Sequence, residues 1–256
     1  MKVVILCGGK GTRLREETEF IPKPLVEIGN KPILWHIMKI YASQGYKDFV
    51  LALGYKGELI KHYFKNYQWM SHDFSMNLKH PDELTIHKKD MLDWNITFVD
   101  TGKKTLTAGR LKRVAPHIDG DRFMLTYGDG LADINIKKLL AFHEQKKKLA
   151  TITGLHPISK YGVLKVDGGL VSEFKEKPIL DDVINGGFMV FEKAIFDRID
   201  VKQDAMLVDK TLPDLAKEEN LAIYHHEGYW HSMDTYKDYE DLNEAYSEEH
   251  IPWRTW

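Results

Sequence analysis

With 256 residues, 43% of them hydrophobic and 29% charged, the chain has a globular make-up and enough length to bury a large core, as one domain with additions rather than two. A net charge of only -2 argues against broad nucleic-acid binding, so any anion site has to be a local cluster of cations. A single cysteine, Cys7, excludes an internal disulfide, and no run approaches the ~18 apolar residues of a membrane span, which makes a cytoplasmic enzyme the expectation.

Val3 to Cys7 is a short apolar, β-branched run that reads as a buried parallel strand and stops at Gly8-Gly9. Gly8, Gly9 and Gly11 let a backbone turn sharply and bring its N–H groups close to phosphate oxygens. Thr12 adds a hydroxyl, Arg13 a planar fork of donors, and Lys23, between Pro22 and Pro24, a cation on a stiffened segment. This stretch suits a polyanion. A dinucleotide fingerprint starting at Gly9 would want a small residue where Leu14 stands, and a P-loop would need Gly-Lys-Ser/Thr at its end.

Ile33, Leu34, Ile37 and Ile40 recur at helical spacing until Gly45, Asp48 to Leu53 reads as a second strand, and Gly57 to Tyr67 as a second helix. That alternation predicts a doubly wound, mostly parallel α/β sheet with ligands at the carboxyl ends of its strands. Residues 68–93 interrupt it with a strand-like Leu84 to Lys88 and read as a surface insertion or an oligomer contact. Their histidines (His72, His80, His87) lack metal-site spacing. Asn95 to Asp100 is another strand, and Thr107 to Arg113 opens a helix in which Gly109 allows close approach to a base or ribose and Arg110 offers donors to a base carbonyl.

Arg122 to Tyr127 is an apolar strand running into Gly128-Asp129-Gly130. A carboxylate there, flanked by glycines on a phosphate-binding face, reads as a Mg2+ ligand, while Asp133 reads as a helix cap. Beyond Thr151 the pattern turns to short strands. Gly162 to Val166 and Leu170 to Lys175 form a hairpin around Asp167-Gly168-Gly169, and Ile184 to Phe191 is a strand with two glycines near its start. The residues between offer Glu176 for hydroxyls, Lys177 for a phosphate and Asn185 for both halves of a hydroxyl contact. Tyr236 to Tyr246 is an amphipathic helix, and the tail Ile251 to Trp256 has no evident chemistry.

Gly8 to Leu14 followed by Pro22 to Pro24 resembles the signature of the sugar-1-phosphate nucleotidyltransferases, Gly-Gly-x-Gly-Thr-Arg-Leu and then Pro-Lys-Pro. Glu176-Lys-Pro178, Asn185-Gly-Gly187 and Asp234-Thr235 after Trp230 match its later segments in type and order. The resemblance implies nucleotide contacts from Leu6, Gly8, Gly9, Gly11, Thr12, Arg13, Lys23, Gly109, Arg110 and Gly128, although the family usually has glycine where Ala108 stands. It implies sugar-phosphate contacts from Glu176, Lys177, Asn185 and Gly186, Mg2+ at Asp129 and Asp234, and a catalytic set of Arg13, Lys23, Asp129 and Asp234. The fold so implied is Rossmann-like with a small β-rich sugar-binding portion. Residues 1–133 would mainly hold the nucleotide, 151–235 mainly the sugar phosphate, and 236–256 form a helix and tail, all within one domain of a homo-oligomer. Lys31 to Met38, Asp100 to Gly102, Gly109 to Arg113 and the final Pro-Trp-Arg-Thr-Trp point within the family to the branch that joins CTP and glucose 1-phosphate. The residues' chemistry alone does not separate cytosine from thymine or uracil. A silent nucleotide-binding subunit remains a second reading, and a hydride-transfer enzyme a distant third.

Overall fold

The side chains from Val3 to Cys7 are all buried, alternate ones in two different layers, and the sheet grows outward from that strand. A computed structural model describes the chain apart from residues 10, 12, 15–17, 88–91, 201–204 and 249. The strands are β1 (Lys2–Cys7), β2 (Glu27–Ile28), β3 (Lys31–Pro32), β4 (Asp48–Leu53), β5 (Phe74–Asn77), β6 (His80–Ile86), β7 (Asn95–Asp100), β8 (Arg122–Tyr127), β9 (Gly130–Ala132), β10 (Ala150–Leu155), β11 (Val163–Asp167), β12 (Leu170–Lys175), β13 (Ile184–Glu192), β14 (Leu221–His225) and β15 (Trp230–Ser232).

Among the described residues, seven strands form the main sheet in the order β14-β10-β13-β8-β1-β4-β7. β1 pairs in parallel with β4 and β8, β4 with β7, and β10 with β14, while β13 runs antiparallel to both its neighbours. Val3, Ile5 and Cys7 pack with the helix Ile33–Ser43 on one face, and Val4 and Leu6 with Ala108, Leu111 and Val114 of the helix Thr107–Val114 on the other. Cover on both faces explains why β1 reads as a continuous apolar run instead of an alternation. The chain moves from β1 to β4 and β7 on one side and returns to β8 on the other, so the order reverses beside β1 and opens a crevice at its carboxyl end.

Among the described residues, four short antiparallel pairs lie off the main sheet. Where the sequence pattern predicts one strand near residue 84, the structure has the hairpin β5–β6, because its exposed side chains lack the burial that makes a strand legible. The hairpin β11–β12 falls where the turn residues place it. Asp133 does not cap a helix. The helix Ile136–Lys146 is capped by Asn135, whose side chain accepts from Lys138 N, and Asp133 Oδ1 instead lies 3.1 Å from His226 Nε2.

The C-terminal tail docks on the body. Trp253 is fully buried, edge-on to His36, and its Nε1 donates to His36 Nδ1 at 3.4 Å. His36 Nε2 faces the Ile28 carbonyl at 3.0 Å, so Nε2 carries the proton and the ring is neutral. Burial, the largest influence, lowers the His36 pKa from 6.5 to about 4 despite the backbone hydrogen bonds that favour the charged ring. On acidification the unfolded chain takes a proton near pH 6.5 and the folded chain only near 4, so stability is lost between those values. By pH 5 the loss is about 2 kcal/mol. His36→Gln, which keeps one donor and one acceptor, should flatten the change in urea-unfolding free energy between pH 7 and 5 by that amount; an unchanged slope would show that His36 titrates normally.

Candidate active site

A cavity of about 660 Å3 lies over the carboxyl ends of β1 and β8. This volume is within the range that accommodates a nucleotide-sized ligand. Of the residues predicted from sequence, Leu6, Gly8, Gly9, Arg13, Lys23, Arg110, Gly128, Asp129, Asn185, Gly186 and Asp234 line it. Gly11 does not: it lies in the following turn, where its carbonyl accepts from Leu14 N. Thr12 lies outside the described residues. Gly109, Glu176 and Lys177 are not in the lining either, and the last two are exposed beyond β12.

The two carboxylates come together through a small sheet. β9 pairs with β15, Gly130 opposite Ser232, and Met233 N donates to the Asp129 carbonyl at 2.8 Å, which brings Asp129 from the middle of the sequence and Asp234 from near its end to one spot. Opposite them stands the one-turn helix Lys23–Leu25, with Pro22 just before it and Pro24 within it. A Cβ on Gly128 would lie 3.0 Å from the Leu6 carbonyl and 3.2 Å from Pro24, so glycine there lets the Pro-Lys-Pro turn press against the end of β8. Lys23 Nζ then sits between the carboxylates, 2.8 Å from Asp129 Oδ2 and 2.9 Å from Asp234 Oδ1, and Arg13 approaches Asp234 Oδ1 at 3.1 Å.

Burial alone would lower the Lys23 pKa, but Asp129 and Asp234 outweigh it and raise it above the ordinary lysine value. Burial likewise pushes Asp234 up, and Lys23 with Arg13 reverses this and holds it below the usual carboxylate range. Both groups are ionised at neutral pH. Tyr127, lining the same cavity, is pushed up to about 12 by burial and by Asp129, and so brings no negative charge. Two carboxylates plus room for phosphate oxygens is the donor set that Mg2+ takes, so Asp129 and Asp234 fit a divalent cation shared with a substrate. Among the described residues no cluster of three or more acidic, His or Cys side chains offers an all-protein cage.

Arg110 lines the cavity from beneath the loop. It is 4% exposed, its NH1 donating to Leu53 O at 3.0 Å and Thr101 Oγ1 at 2.7 Å and its NH2 to Gly8 O at 2.9 Å. It ties the ends of β1, β4 and β7 together. The thiol of Cys7, at the end of β1, is pushed up chiefly by burial, which makes it a core group and not a nucleophile.

At the other end of the cavity Asn185 Oδ1 accepts from Gly187 N at 2.9 Å, and Trp230 Nε1 donates to Gly186 O at 2.8 Å, so the start of β13 is clamped in place. The segment Lys103–Thr107 and Met206 also line the cavity and were not found from sequence. The only signal for Lys103–Thr107 is position, after the carboxyl end of β7. Asp238 was missed as well. Only 5% exposed, its Oδ2 accepts from Asp234 N at 3.1 Å and from Thr235 N at 2.7 Å, and Lys160 reaches its Oδ1 at 3.2 Å. A Thr three residues before an Asp, as in the capping box, is the clue the sequence held. Asp238→Ala should cost about 2 kcal/mol of stability and, by loosening Asp234, lower kcat about ten-fold. Asp238→Asn keeps an acceptor and should recover most of both in urea unfolding and turnover assays; a kcat unmoved by Asp238→Ala would detach it from Asp234.

Residues 2–249 match the sequence profile of the family described as Nucleotidyl transferase. The chain is 45% identical to the glucose-1-phosphate cytidylyltransferase of Salmonella typhi, with 100% of both chains covered. It is 33% identical to the mannose-1-phosphate guanyltransferase of Yarrowia lipolytica, over 93% of this chain and 62% of that one. Among solved structures, HddC from Yersinia pseudotuberculosis superposes with a TM-score of 0.69 at 23% identity, covering 96% of this chain and 99% of that one, a likeness of fold.

Proposed function

The chain belongs to the nucleotidyl transferase family, and on that premise we propose that it transfers a cytidylyl group from CTP to glucose 1-phosphate, giving CDP-glucose and pyrophosphate. The observation that carries this reading is the pair Asp129 and Asp234, bridged by Lys23 at the mouth of the glycine loop. Full-length identity of 45% to a relative named for cytidylyl transfer, against 33% to one named for guanyl transfer, favours CTP and glucose 1-phosphate.

Two polyanions repel, so the protein's work is to neutralise and align them. Backbone N–H groups of the loop at Gly8 and Gly9, with Arg13 and Lys23, would take the triphosphate. Lys103 and Lys104 add charge to the cavity lining. Asp129 and Asp234 would hold Mg2+, which supplies neutralisation of charge on the α-phosphate. A phosphate oxygen of the sugar phosphate attacks the α-phosphorus in line, and the bond to the pyrophosphate oxygen breaks. No general base is required, because a phosphate monoester with a second pKa of about 6 is already mostly dianionic at neutral pH. Asn185 and Gly186 border the sugar end, and Glu176 and Lys177 would join it by movement of the β11–β12 hairpin that precedes them.

The same proposal makes the enzyme a cytoplasmic homo-oligomer feeding surface-polysaccharide synthesis. Leu78 on the β5–β6 hairpin, 84% exposed, and Leu170 and Phe174 on β12 supply apolar surface for self-association, and sedimentation would give the mass. Among the described residues no helix is long and apolar enough to cross a membrane. Pyrophosphate release with glucose 1-phosphate and Mg2+ from each of CTP, UTP, dTTP, ATP and GTP tests the reaction. CTP should exceed the others by at least ten-fold; equal or greater release from another triphosphate would overturn the base assignment.

A further inference from the structure

Four charged side chains at the cavity mouth neutralise one another: Lys23 lies on both Asp129 and Asp234, and Arg13 on Asp234. Two positive and two negative charges sum to zero. A divalent cation approaching this group meets carboxylates already occupied by an ammonium, and a phosphate meets cations already committed to carboxylates. We propose that Lys23, with Arg13, is a removable internal counter-ion of the carboxylate pair, so that metal and nucleotide enter as a coupled pair and each binds poorly alone.

This rests on the reading of Asp129 and Asp234 as the metal-binding pair. Its support is which parts can move and which cannot. The Lys23 backbone is fixed in the Pro-Lys-Pro turn, while its ammonium stands at the end of a four-carbon stem, able to swing from carboxylate to phosphate without any shift of the main chain. The carboxylates' backbones are held from outside the quartet: the Asp129 carbonyl accepts from Met233 N, and Asp234 N donates to Asp238. Removal of the ammonium therefore uncovers the pair without dispersing it. Lys23 is also the better buried of the two cations, its side chain 12% exposed against 73% for Arg13, so Lys23 is the plug and Arg13 a tether on the solvent side. When nucleotide and metal arrive together, every charge exchanges one partner for another, and no proton has to move. By linkage, each ligand must then raise the other's affinity by the same factor.

The test uses Mn2+ as the probe, with binding read by electron paramagnetic resonance and water-proton relaxation, the latter separating the ternary complex from free Mn2+·CTP. Without nucleotide, Lys23→Met should bind Mn2+ at least ten-fold more tightly than the wild-type chain, and Arg13→Met about two- to five-fold more tightly. In the wild type CTP should tighten Mn2+ at least ten-fold, and in Lys23→Met that coupling should shrink. Equal Mn2+ affinity of the nucleotide-free wild type and both variants would overturn the counter-ion proposal, and Arg13→Met, at an exposed position, keeps the comparison open should Lys23→Met fold poorly. Asp129→Asn tests the underlying reading separately, since unaltered Mn2+ binding in its CTP complex would remove the metal from this pair whatever Lys23 does.

Discussion

Asp129→Ala and Asp234→Ala are each expected to lower kcat by about 10^3-fold or more, equivalent to about 4 kcal/mol of transition-state stabilisation. Each carboxylate is an endpoint of the network at the cavity mouth, and Asp238, the acid beside Asp234, is already engaged by Asp234 N, Thr235 N and Lys160. Loss of either would leave one ligand for the proposed cation, with Lys23 remaining on the other carboxylate. Folding should persist. The apolar clusters that hold β1, β8 and their helices do not include these side chains, and Lys23 keeps one partner in either variant. Pyrophosphate release under saturating substrates, beside a thermal melt followed by circular dichroism, separates the effects. A kcat within ten-fold of wild type in either variant would take that residue away from the metal.

Gly8→Ala is expected to destabilise the chain by about 3 kcal/mol and to weaken nucleotide binding by more than ten-fold. An added Cβ would lie 2.0 Å from Arg110 Cζ and 2.1 Å from its NH1, well inside contact distance. Such a clash is cheap only where the neighbour can swing away, and this guanidinium cannot: hydrogen bonds to Leu53 O, Thr101 Oγ1 and Gly8 O hold it, and it also closes on Gly54, where a Cβ would be 2.4 Å from NH1. Relief therefore requires breaking buried hydrogen bonds or shifting the glycine loop that lines the cavity. A double-mutant cycle with Arg110→Met identifies the obstacle. If the guanidinium is what alanine strikes, the double variant should be less destabilised than the sum of the singles by about 1–2 kcal/mol. A Gly8→Ala chain within 0.5 kcal/mol of wild type, that is, within the roughly neutral range of surface substitutions, would show that the loop adapts freely.

These two experiments touch residues that were legible to different depths. Asp129 and Lys23 were readable because their meaning is local: an aspartate between glycines at a strand's end and a lysine between prolines carry their backbone setting with them. Asp234 was equally compatible with a helix cap. Its site assignment came from resemblance, and the pairing of β9 with β15 is what sets it beside Asp129. The partners of Arg110 were not legible, because its helix segment looks the same whether its basic residues face solvent, a base or the core. Its partner Gly8 is 102 residues away, and only the adjacency of β1, β4 and β7 decides the outcome.

By itself, the sequence determined the alternation of buried strands and helices, the glycine loop at the end of β1, the stiffened Lys23 and the hairpin around Gly168, because periodicity and backbone restriction act over a few residues at a time. Tertiary structure alone decided the burial of Arg110 under the loop, the hold of Asp238 on Asp234, the cavity wall from Lys103 to Thr107 and the closure of Lys23 onto both carboxylates. Each of these is a choice of partner for a polar side chain. Such a choice depends on which distant elements the fold makes neighbours, and on the cost of leaving a buried charge or hydrogen-bonding group without one.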